Sequence, residues 1–169
     1  MKKCLFIFGF LLFLVGCTNT EDYIVSDFFV AGDFTYKGGF ENAGSKSSSK
    51  VVRKNGLKFI VEETVDTATR VERVYLINRD SISLIYTGEN TSVDLNNIDL
   101  TKGEVILKAP FTVGKTWKSK ENIYEIVNFI DAESGPEVTV EKTFPNGTVE
   151  RIIYQKGFGK IQKTIITRN

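Results

Sequence analysis

The sequence contains no histidine, and this absence excludes several kinds of active site. Without imidazole the chain cannot form a Ser-His-Asp triad, a Cys-His dyad or a His-ligated zinc or copper site. Any catalysis would depend on carboxylates, lysine, tyrosine or a hydroxyl nucleophile. We therefore favour a non-enzymatic role and leave the question of an enzyme open, with no cofactor or metal indicated.

Cysteine is scarce as well, because the two residues, Cys4 and Cys17, both lie near the start of the chain. The segment after Cys17 therefore cannot contain a disulfide. It does not need one, because a domain of about 150 residues buries roughly two-thirds of the surface of its unfolded chain. Charge is nearly balanced, at 22 basic and 21 acidic residues, so nucleic acid is not indicated as a partner.

The beginning of the chain has the three parts of an export signal. Two lysines follow the first residue, residues 5–15 form an apolar run, and the small residue Gly16 comes before Cys17. The apolar run is too short to cross a bilayer as a helix. We therefore predict a helical signal peptide over residues 1–16.

The ending Leu14-Val15-Gly16-Cys17 resembles the lipobox of bacterial lipoproteins. The resemblance implies cleavage before Cys17, a diacylglycerol on its sulfur and, usually, a fatty acid such as palmitate on the new amine. The alternatives are an uncleaved N-terminal anchor and ordinary signal cleavage beside an incidental cysteine. The resemblance predicts a lipoprotein held to a membrane by the covalent lipid on Cys17.

Lipidation sets the expected location in the cell envelope. Two or three acyl chains make a stable anchor, whereas one chain alone binds a membrane only marginally. In a host with two membranes, known lipoprotein sorting favours the outer one, because Thr18 and Asn19 follow the cysteine without an aspartate. In a host with one membrane, we expect the protein on the outer face of the cytoplasmic membrane.

The remainder of the sequence has the pattern of a β protein. Short runs of β-branched and aromatic residues alternate with turn signals, and residues 57–62 alternate with a period of two. We count roughly ten such runs. They predict one all-β domain over residues 27–169, after a lipidated tether at 17–26. The expected fold is an antiparallel meander that forms a barrel, a half-barrel or a sandwich.

Four segments carry more specific predictions. Residues 62–76 also fit a helix, but their many β-branched side chains favour a hairpin that turns at residues 66–69. Residues 38–49 are rich in Gly and Ser and predict a loop. The Asn-Gly pair at 146–147 predicts a two-residue hairpin turn, because both positions tolerate positive φ. The Gly-Phe-Gly break at 157–159 indicates a bulge or the close approach of another backbone.

Residues 109–116, APFTVGKT, satisfy a relaxed P-loop pattern. A nucleotide-binding P-loop needs a strand before it and a helix after it, with the N-terminus of the helix facing the phosphates. Here Pro110, Phe111 and Val113 replace flexible loop residues, and Trp117 with a polar segment follows. We therefore interpret this stretch as a turn followed by the start of a strand.

The same region, together with its neighbours, resembles a group of small uncharacterised bacterial lipoproteins. The residues that carry this resemblance form an Ile-Leu-Lys-x-Pro segment at 106–110, a Gly-x-x-Trp at 114–117 and a Tyr-x-x-Gly-x-Gly at 154–159. Residues 34–38, FTYKG, fit the opening strand of that group. The resemblance spans about residues 28–163 and implies no activity.

Five aromatic residues are candidates for either a ligand site or the core: Trp117, Tyr124, Phe129, Tyr154 and Phe158. Trp117, the only tryptophan, is either a binding platform at the mouth of a cavity or a core anchor that plugs one end of the sheet. We favour the core anchor, because large aromatic side chains dominate the burial of apolar surface.

The acidic residues do not form an evident catalytic pair. Glu62 and Glu63 are adjacent on a strand and therefore point to opposite faces, which argues against shared acid-base chemistry. Asp94 and Asp99 lie in the polar stretch 90–101, which lacks the ligand spacing and the glycine of an EF-hand. We interpret that stretch as a solvated loop with a short turn.

Three functional hypotheses remain open. The first is a membrane-anchored, non-enzymatic β domain that binds something or supports the envelope, with a hydrophobic ligand or an envelope protein as partner. The second is an envelope hydrolase with carboxylate or hydroxyl chemistry, and the third is a purely structural surface protein. A cavity lined by Phe and Tyr supports the first, buried carboxylates at a cleft support the second, and a filled interior supports the third.

Overall fold

The structure is a computed structural model of the chain, and it describes residues 23–38, 44–66, 69–90 and 93–167. Strands make up 63% of these residues and helical turns 5%, in two antiparallel sheets of which one is a half-barrel. The prediction of an all-β fold is therefore confirmed. The predicted signal peptide, Cys17 and the first part of the tether lie outside the described residues. Within the described ranges, no helix has the length and apolar character needed to cross a membrane.

The first sheet is a meander of six strands that lie side by side in chain order. Its strands are β1 (Asp33–Tyr36), β2 (Ser45–Lys54), β3 (Leu57–Asp66), β4 (Thr69–Ile77), β5 (Ser81–Glu89) and β6 (Glu104–Lys108). The hairpin predicted in residues 62–76 is confirmed, because β3 and β4 pair antiparallel as far as Asp66 opposite Thr69.

The second sheet is a meander of five strands, also in chain order. Its strands are β7 (Thr116–Ser119), β8 (Asn122–Ala132), β9 (Gly135–Thr143), β10 (Val149–Gln155) and β11 (Gly159–Ile166). The chain thus builds one sheet from its first half and the other from its second half.

The two sheets meet along β6 and β7, a boundary that we call the seam. There Trp117 Nε1 donates a hydrogen bond to the Val105 carbonyl at 2.9 Å, and the Val105 amide donates to Ser119 Oγ at 2.7 Å. On the opposite side, β1 and β11 are the outermost strands of their sheets. Here the Tyr36 hydroxyl donates to the Lys160 carbonyl at 3.3 Å. We call this side the β1–β11 edge.

The main core lies between the sheets. It combines Ile60, Tyr75 and Ile82 of the first sheet with Tyr124, Ile126, Val138, Val140 and Tyr154 of the second. Val25 and Phe28 complete it from a short 3₁₀ turn, Val25–Phe28, in which both side chains are fully buried. Val25 therefore packs in the core, although it falls within residues 17–26, which were expected to form a tether. A spacing of three places Val25 and Phe28 on one face of the turn, so both reach the core.

A second apolar cluster lies on the outer face of the first sheet. Phe59, Val74 and Ile85 are buried there, and the packed residues Val93, Leu95 and Ile98 contact them from the following loop. The short turn expected in residues 90–101 is present as a 3₁₀ turn, Leu100–Lys102. The expectation of a solvated loop is wrong for the three apolar side chains, because they cover a sheet face that water would otherwise reach.

The predicted loop at residues 38–49 is wrong for its second half, since residues 45–49 belong to β2. Serine has little preference for strands, but the inward-facing serines here are satisfied by hydrogen bonds. Ser47 Oγ donates to Glu62 Oε1 at 2.8 Å, and Ser49 Oγ donates to the Gly32 carbonyl at 3.1 Å. Partners far away in sequence therefore determine the strand.

The predictions for the two glycine-containing turns of the second sheet agree with the structure to different degrees. In the β9–β10 turn only Gly147 has a positive φ, 82°, and its amide donates to the Phe144 carbonyl at 2.9 Å. The loop is therefore longer than the two residues predicted. At 157–159 the predicted close approach of another backbone is confirmed, because the Gly157 amide donates to the Asp27 carbonyl at 2.7 Å. The alternative, a bulge, is not found at these residues, since the β10–β11 register shifts between Ile153 and Tyr154 instead.

Candidate functional site

A small pocket lies between the two sheets at the β1–β11 edge. Its cavity volume is about 30 Å³, which is enough for one or two water molecules. One part of the lining is apolar and the other part is polar. The apolar residues are Phe29, Val30, Phe34, Ile60 and Phe158, and the polar ones include Tyr36, Ser49, Glu62, Tyr75 and Lys160. We call it the Glu62 pocket.

Glu62 is the central polar group of this pocket, and its residue is only 9% exposed. Oε1 accepts a hydrogen bond from Ser47 Oγ at 2.8 Å, and Oε2 accepts one from the Tyr75 hydroxyl at 2.7 Å. The Arg73 guanidinium lies 3.8 Å from Oε2. Each carboxylate oxygen thus has a short hydrogen bond from a hydroxyl group, which fixes its orientation.

The strand register explains how these residues meet. Glu62 is directly opposite Ser49 on one neighbouring strand and opposite Arg73 on the other. Side chains directly opposite one another in a sheet share a face, so these residues form one row across three strands. Ile60 lies two residues before Glu62 and points the same way, into the core.

The second sheet contributes a lysine to the pocket from β11. Burial lowers the pKa of Lys160, while the nearby Glu62 acts in the opposite direction. For Glu62 burial opposes ionisation, but Lys160 and the hydrogen bonds of Tyr75 and Ser47 outweigh it, so its pKa is lowered. Glu62 is therefore ionised at neutral pH. Two positive side chains, Lys160 and Arg73, act on this one negative charge.

The tyrosines of the pocket remain hydrogen-bond donors. Burial and the negative charge of Glu62 raise the pKa of Tyr36 to about 12. The same two causes raise the pKa of Tyr75 well above its ordinary value. The pocket thus combines a fixed carboxylate, protonated phenols and a lysine with apolar walls. This combination suits the binding of a molecule that has both apolar and polar parts.

The structure does not bring the five predicted aromatic residues together. Phe158 alone of the five lines the Glu62 pocket, at its rim, with 55% of its surface exposed. Tyr154 is buried nearby, with its ring centroid 6.4 Å from that of Phe29. Phe129 packs elsewhere, against Phe111 at 6.1 Å.

Trp117 and Tyr124 lie together at the seam. Their rings stack at a centroid distance of 5.3 Å and an interplanar angle of 7°. Tyr124 is fully buried, whereas Trp117 is half-buried and packs against the main core. Trp117 thus lies at the seam between the two sheets and does not line the Glu62 pocket.

Glu62 is not among the site residues predicted from the sequence, although one signal was present. Alternation places Ile60 and Glu62 on the same face, so an inward-facing Ile60 implies an inward-facing glutamate. The prediction that Glu62 and Glu63 point to opposite faces is confirmed. Glu63 points outward and pairs with Arg70 at 2.7 Å.

The P-loop resemblance at residues 109–116 corresponds to a turn and the start of β7. The Gly114 amide donates to the Ile126 carbonyl at 2.8 Å, and the Ile126 amide donates to the Lys115 carbonyl at 2.9 Å. Lys115 Nζ itself donates to the Ala109 carbonyl. A strand follows this turn where a nucleotide site requires a helix, so the predicted turn and strand start are confirmed.

The aspartates of the 90–101 stretch hold local turns. Asp94 Oδ1 accepts from the Asn96 amide at 2.9 Å, and Asp99 Oδ1 accepts from the Thr101 amide at 2.9 Å. Nowhere in the described part of the chain do three or more acidic or cysteine side chains gather as a metal site would require.

A second buried carboxylate, Glu104 of β6, lies at the seam. Its Oε1 accepts hydrogen bonds from the Tyr124 hydroxyl at 2.7 Å and from Asn122 Nδ2 at 2.5 Å, and Lys142 Nζ lies 2.9 Å away. Burial opposes ionisation, but these three donors outweigh it and lower the pKa of Glu104. Glu62 and Glu104 thus have similar partners in different places.

No protein-family model matches this sequence, and no curated protein or solved structure matches it either. A proposal about function therefore depends on the residues of the site itself.

Proposed function

We propose that this protein is a lipid-anchored, non-enzymatic binding module of a bacterial cell envelope. Its ligand is a small apolar or amphipathic molecule that enters between the sheets at the β1–β11 edge. The observation that carries the proposal is the Glu62 pocket, which combines aromatic walls with a buried charged group. The anchor part of the proposal depends on the Leu14-Val15-Gly16-Cys17 sequence.

The pocket can accept such a ligand only if its walls move. Its present volume of about 30 Å³ is far below that of a typical ligand site, which is roughly 300–1,000 Å³. The side chain of Phe158 at the rim is mostly exposed. The hydrogen bond from Tyr36 to the Lys160 carbonyl is long for a hydroxyl donor, at 3.3 Å. Separation of β1 from β11 at this bond would enlarge the space between the sheets.

A hydrolase has weaker support than a binding module. A carboxyl group that must rest in its protonated form, as the general acid of a hydrolase does, needs a raised pKa at neutral pH, whereas the pKa of Glu62 is lowered. Its two oxygens also accept hydrogen bonds from Tyr75 and Ser47, which fix the orientation of the carboxylate. Glu62 is better suited to orienting a polar group than to transferring a proton.

The ligand proposal is tested by extraction of the native protein. The full chain would be purified from membranes in mild detergent, extracted with organic solvent, and examined by mass spectrometry. Phe158→Glu places a charge at the rim of the pocket, and Ile123→Glu is a matched control on the outer face of the second sheet. The two residues are 55% and 53% exposed. We expect a co-purifying molecule in the parent and the control, and much less in Phe158→Glu.

Two results would contradict the ligand proposal. One is that the parent protein carries no molecule above the level of a detergent-matched blank. The other is that all three proteins carry the same amount. The first result would favour a purely structural protein with a filled interior, and the second would place the bound molecule outside the Glu62 pocket.

The anchor is tested separately through Cys17. Cells would be labelled with a fatty acid, and Cys17→Ser should lose the label and either leave the membrane or remain an unprocessed precursor. The reason is that the thioether needs the cysteine sulfur. Unchanged labelling of Cys17→Ser would refute the anchor without affecting the ligand proposal.

A further inference from the structure

At the seam, the side chains of Asn122 and Lys142 both contact one carboxylate oxygen of Glu104. Asn122 Nδ2 lies 2.5 Å from Glu104 Oε1, and Lys142 Nζ lies 2.9 Å from the same atom. The amine and the amide nitrogen therefore cannot be further apart than the sum of these two distances. Glu104 and Asn122 are both buried.

Aromatic rings surround this cluster. The Tyr124 hydroxyl donates to the same oxygen at 2.7 Å, and the ring of Trp117 covers that of Tyr124. The ring centroid of Phe144 lies 4.6 Å from Lys142 Nζ. The Lys142 side chain is 15% exposed and that of Glu104 is 9% exposed, so water has limited access to the pair. Transfer of a proton from Lys142 to Glu104 removes both charges and leaves a neutral, nucleophilic amine.

We propose that Lys142 and Asn122 become joined by an intramolecular isopeptide bond, with Glu104 as the group that transfers the protons. The amine attacks Cγ of Asn122, which is the carbon of a primary amide. Only the Lys142 amine and the Asn122 amide are consumed, and Glu104 is regenerated, so the reaction needs no cofactor, oxidant or second protein.

The atoms and charges of this reaction balance. Lys142 gives one proton to Glu104, and its neutral nitrogen forms a new bond to the Asn122 carbonyl carbon. Glu104 then protonates the amide nitrogen as the tetrahedral intermediate collapses, and the original carbon–nitrogen bond breaks. The attacking nitrogen then loses one further proton to Glu104, which passes it to the released ammonia. The products are a secondary amide and one ammonium ion, and Glu104 returns to its carboxylate form.

The fold determines when the reaction can occur. Lys142 of β9 is directly opposite Tyr124 of β8, and Asn122 lies two residues before Tyr124 on the same face. The amine and the amide are therefore diagonal neighbours within the second sheet. Glu104 comes from β6 of the first sheet, so the proton-transfer group arrives only when the two sheets pack. The bond is a product of the folded protein.

Peptide mapping of the full chain tests the proposal. Trypsin cleaves after lysine and arginine, and the sequence gives peptides 121–142 and 143–151 if Lys142 is free. A bonded Lys142 blocks that cleavage. We then expect a single peptide, 121–151, that is about 17 Da lighter than its sequence mass, because one ammonia is lost. A second protease that cuts after glutamate should leave the fragments with Asn122 and Lys142 joined.

Variants separate this bond from other losses of ammonia. Asn122→Ala removes the electrophile and Glu104→Gln removes the proton-transfer group, so both should yield the two ordinary peptides at full mass. The Asn-Gly pair at 146–147 is a second place where ammonia can leave, by cyclisation. Asn146→Ala is the matched control and should keep the joined, lighter peptide. Failure of a variant to fold does not affect the result for the parent.

The result for the parent decides the proposal. If the folded parent chain yields peptides 121–142 and 143–151 at their sequence masses, Lys142 and Glu104 form only an ion pair and the proposal is wrong. A lighter peptide that disappears in Asn146→Ala and persists in Asn122→Ala would overturn it as well.

Discussion

Glu62 and Glu104, two buried glutamates of the first sheet, have similar partners and opposite settings. Glu62 and Glu104 each accept a tyrosine hydroxyl and each have a lysine of the second sheet nearby. At the seam, Lys142 contacts Glu104 directly and aromatic rings cover the group. At the β1–β11 edge, Glu62 lines a pocket with a half-exposed rim. The same combination of residues thus lies at the seam, where the two sheets are in contact, and at the β1–β11 edge, where the pocket opens.

This comparison also explains the different roles of the aromatic residues. Trp117 stacks on Tyr124 and donates a hydrogen bond across the two sheets. Phe158 has no equivalent hydrogen bond to offer, and more than half of its surface is exposed. An aromatic side chain stabilises a protein in proportion to the area that it buries. We therefore expect substitutions at the seam to affect folding and substitutions at the edge to affect binding.

The largest effect is expected for Trp117→Ala. The change removes the ring that covers Tyr124 and the hydrogen bond to the Val105 carbonyl. Truncation of a large packed aromatic lowers the free energy of unfolding by about 3–5 kcal/mol. Denaturant melts of the purified protein measure this loss. A loss below about 1 kcal/mol would show that the seam does not depend on Trp117.

An intermediate effect that depends on pH is expected for Glu62→Gln. The folded-state pKa of Glu62 is lowered, so its carboxylate stabilises the fold above the unfolded pKa of about 4.3. This contribution is lost as pH falls through the lower folded pKa. At pH 7 we expect the variant to be less stable by about 1–3 kcal/mol, because buried donors lose a charged partner. The difference should shrink in acid.

The neighbouring residue provides the control for that experiment. Glu63→Gln changes the same functional group one residue away, on the outer face, where the glutamate pairs with Arg70 at the surface. Exposed pairs contribute about 0–1 kcal/mol. If both variants have the same stability and the same pH dependence, burial of the Glu62 network has no energetic consequence.

The smallest effect on stability is expected for Phe158→Ala. Exposed substitutions usually change the free energy of unfolding by no more than about 0.5 kcal/mol. Melts under the conditions used for Trp117→Ala give a direct comparison of the two aromatic residues. A loss similar to that of Trp117→Ala would mean that the rim of the pocket is part of the core.

Most of the strands could be predicted from local sequence, because their side chains alternate. The β3–β4 hairpin is one example, where β-branched residues correctly outweighed a helical spacing. The first half of β2 was missed because serines have no apolar pattern. Its strand depends on Glu62 and Gly32, which lie 15 and 17 residues away from Ser47 and Ser49. Local composition cannot reveal such partners.

The candidate site was harder to predict than the fold. Alternation alone makes Glu62 an inward-facing residue, but its importance depends on Lys160, which comes from the other sheet. Phe158 was a candidate because it is aromatic, but the sequence did not indicate which pocket it lines. The sequence fails here for a physical reason, because the pocket forms between two sheets and no single segment contains it.

The order of the strands has a consequence for how the molecule assembles. Each sheet is a meander of neighbouring strands, so most pairings are local and we expect each half to form quickly. The exception is the short turn at Val25–Phe28, near the beginning of the described chain. The Asp27 carbonyl accepts its hydrogen bond from Gly157, which precedes the last strand. This early segment, although it is synthesised before both sheets, can therefore pack fully only after the end of β10 is in place.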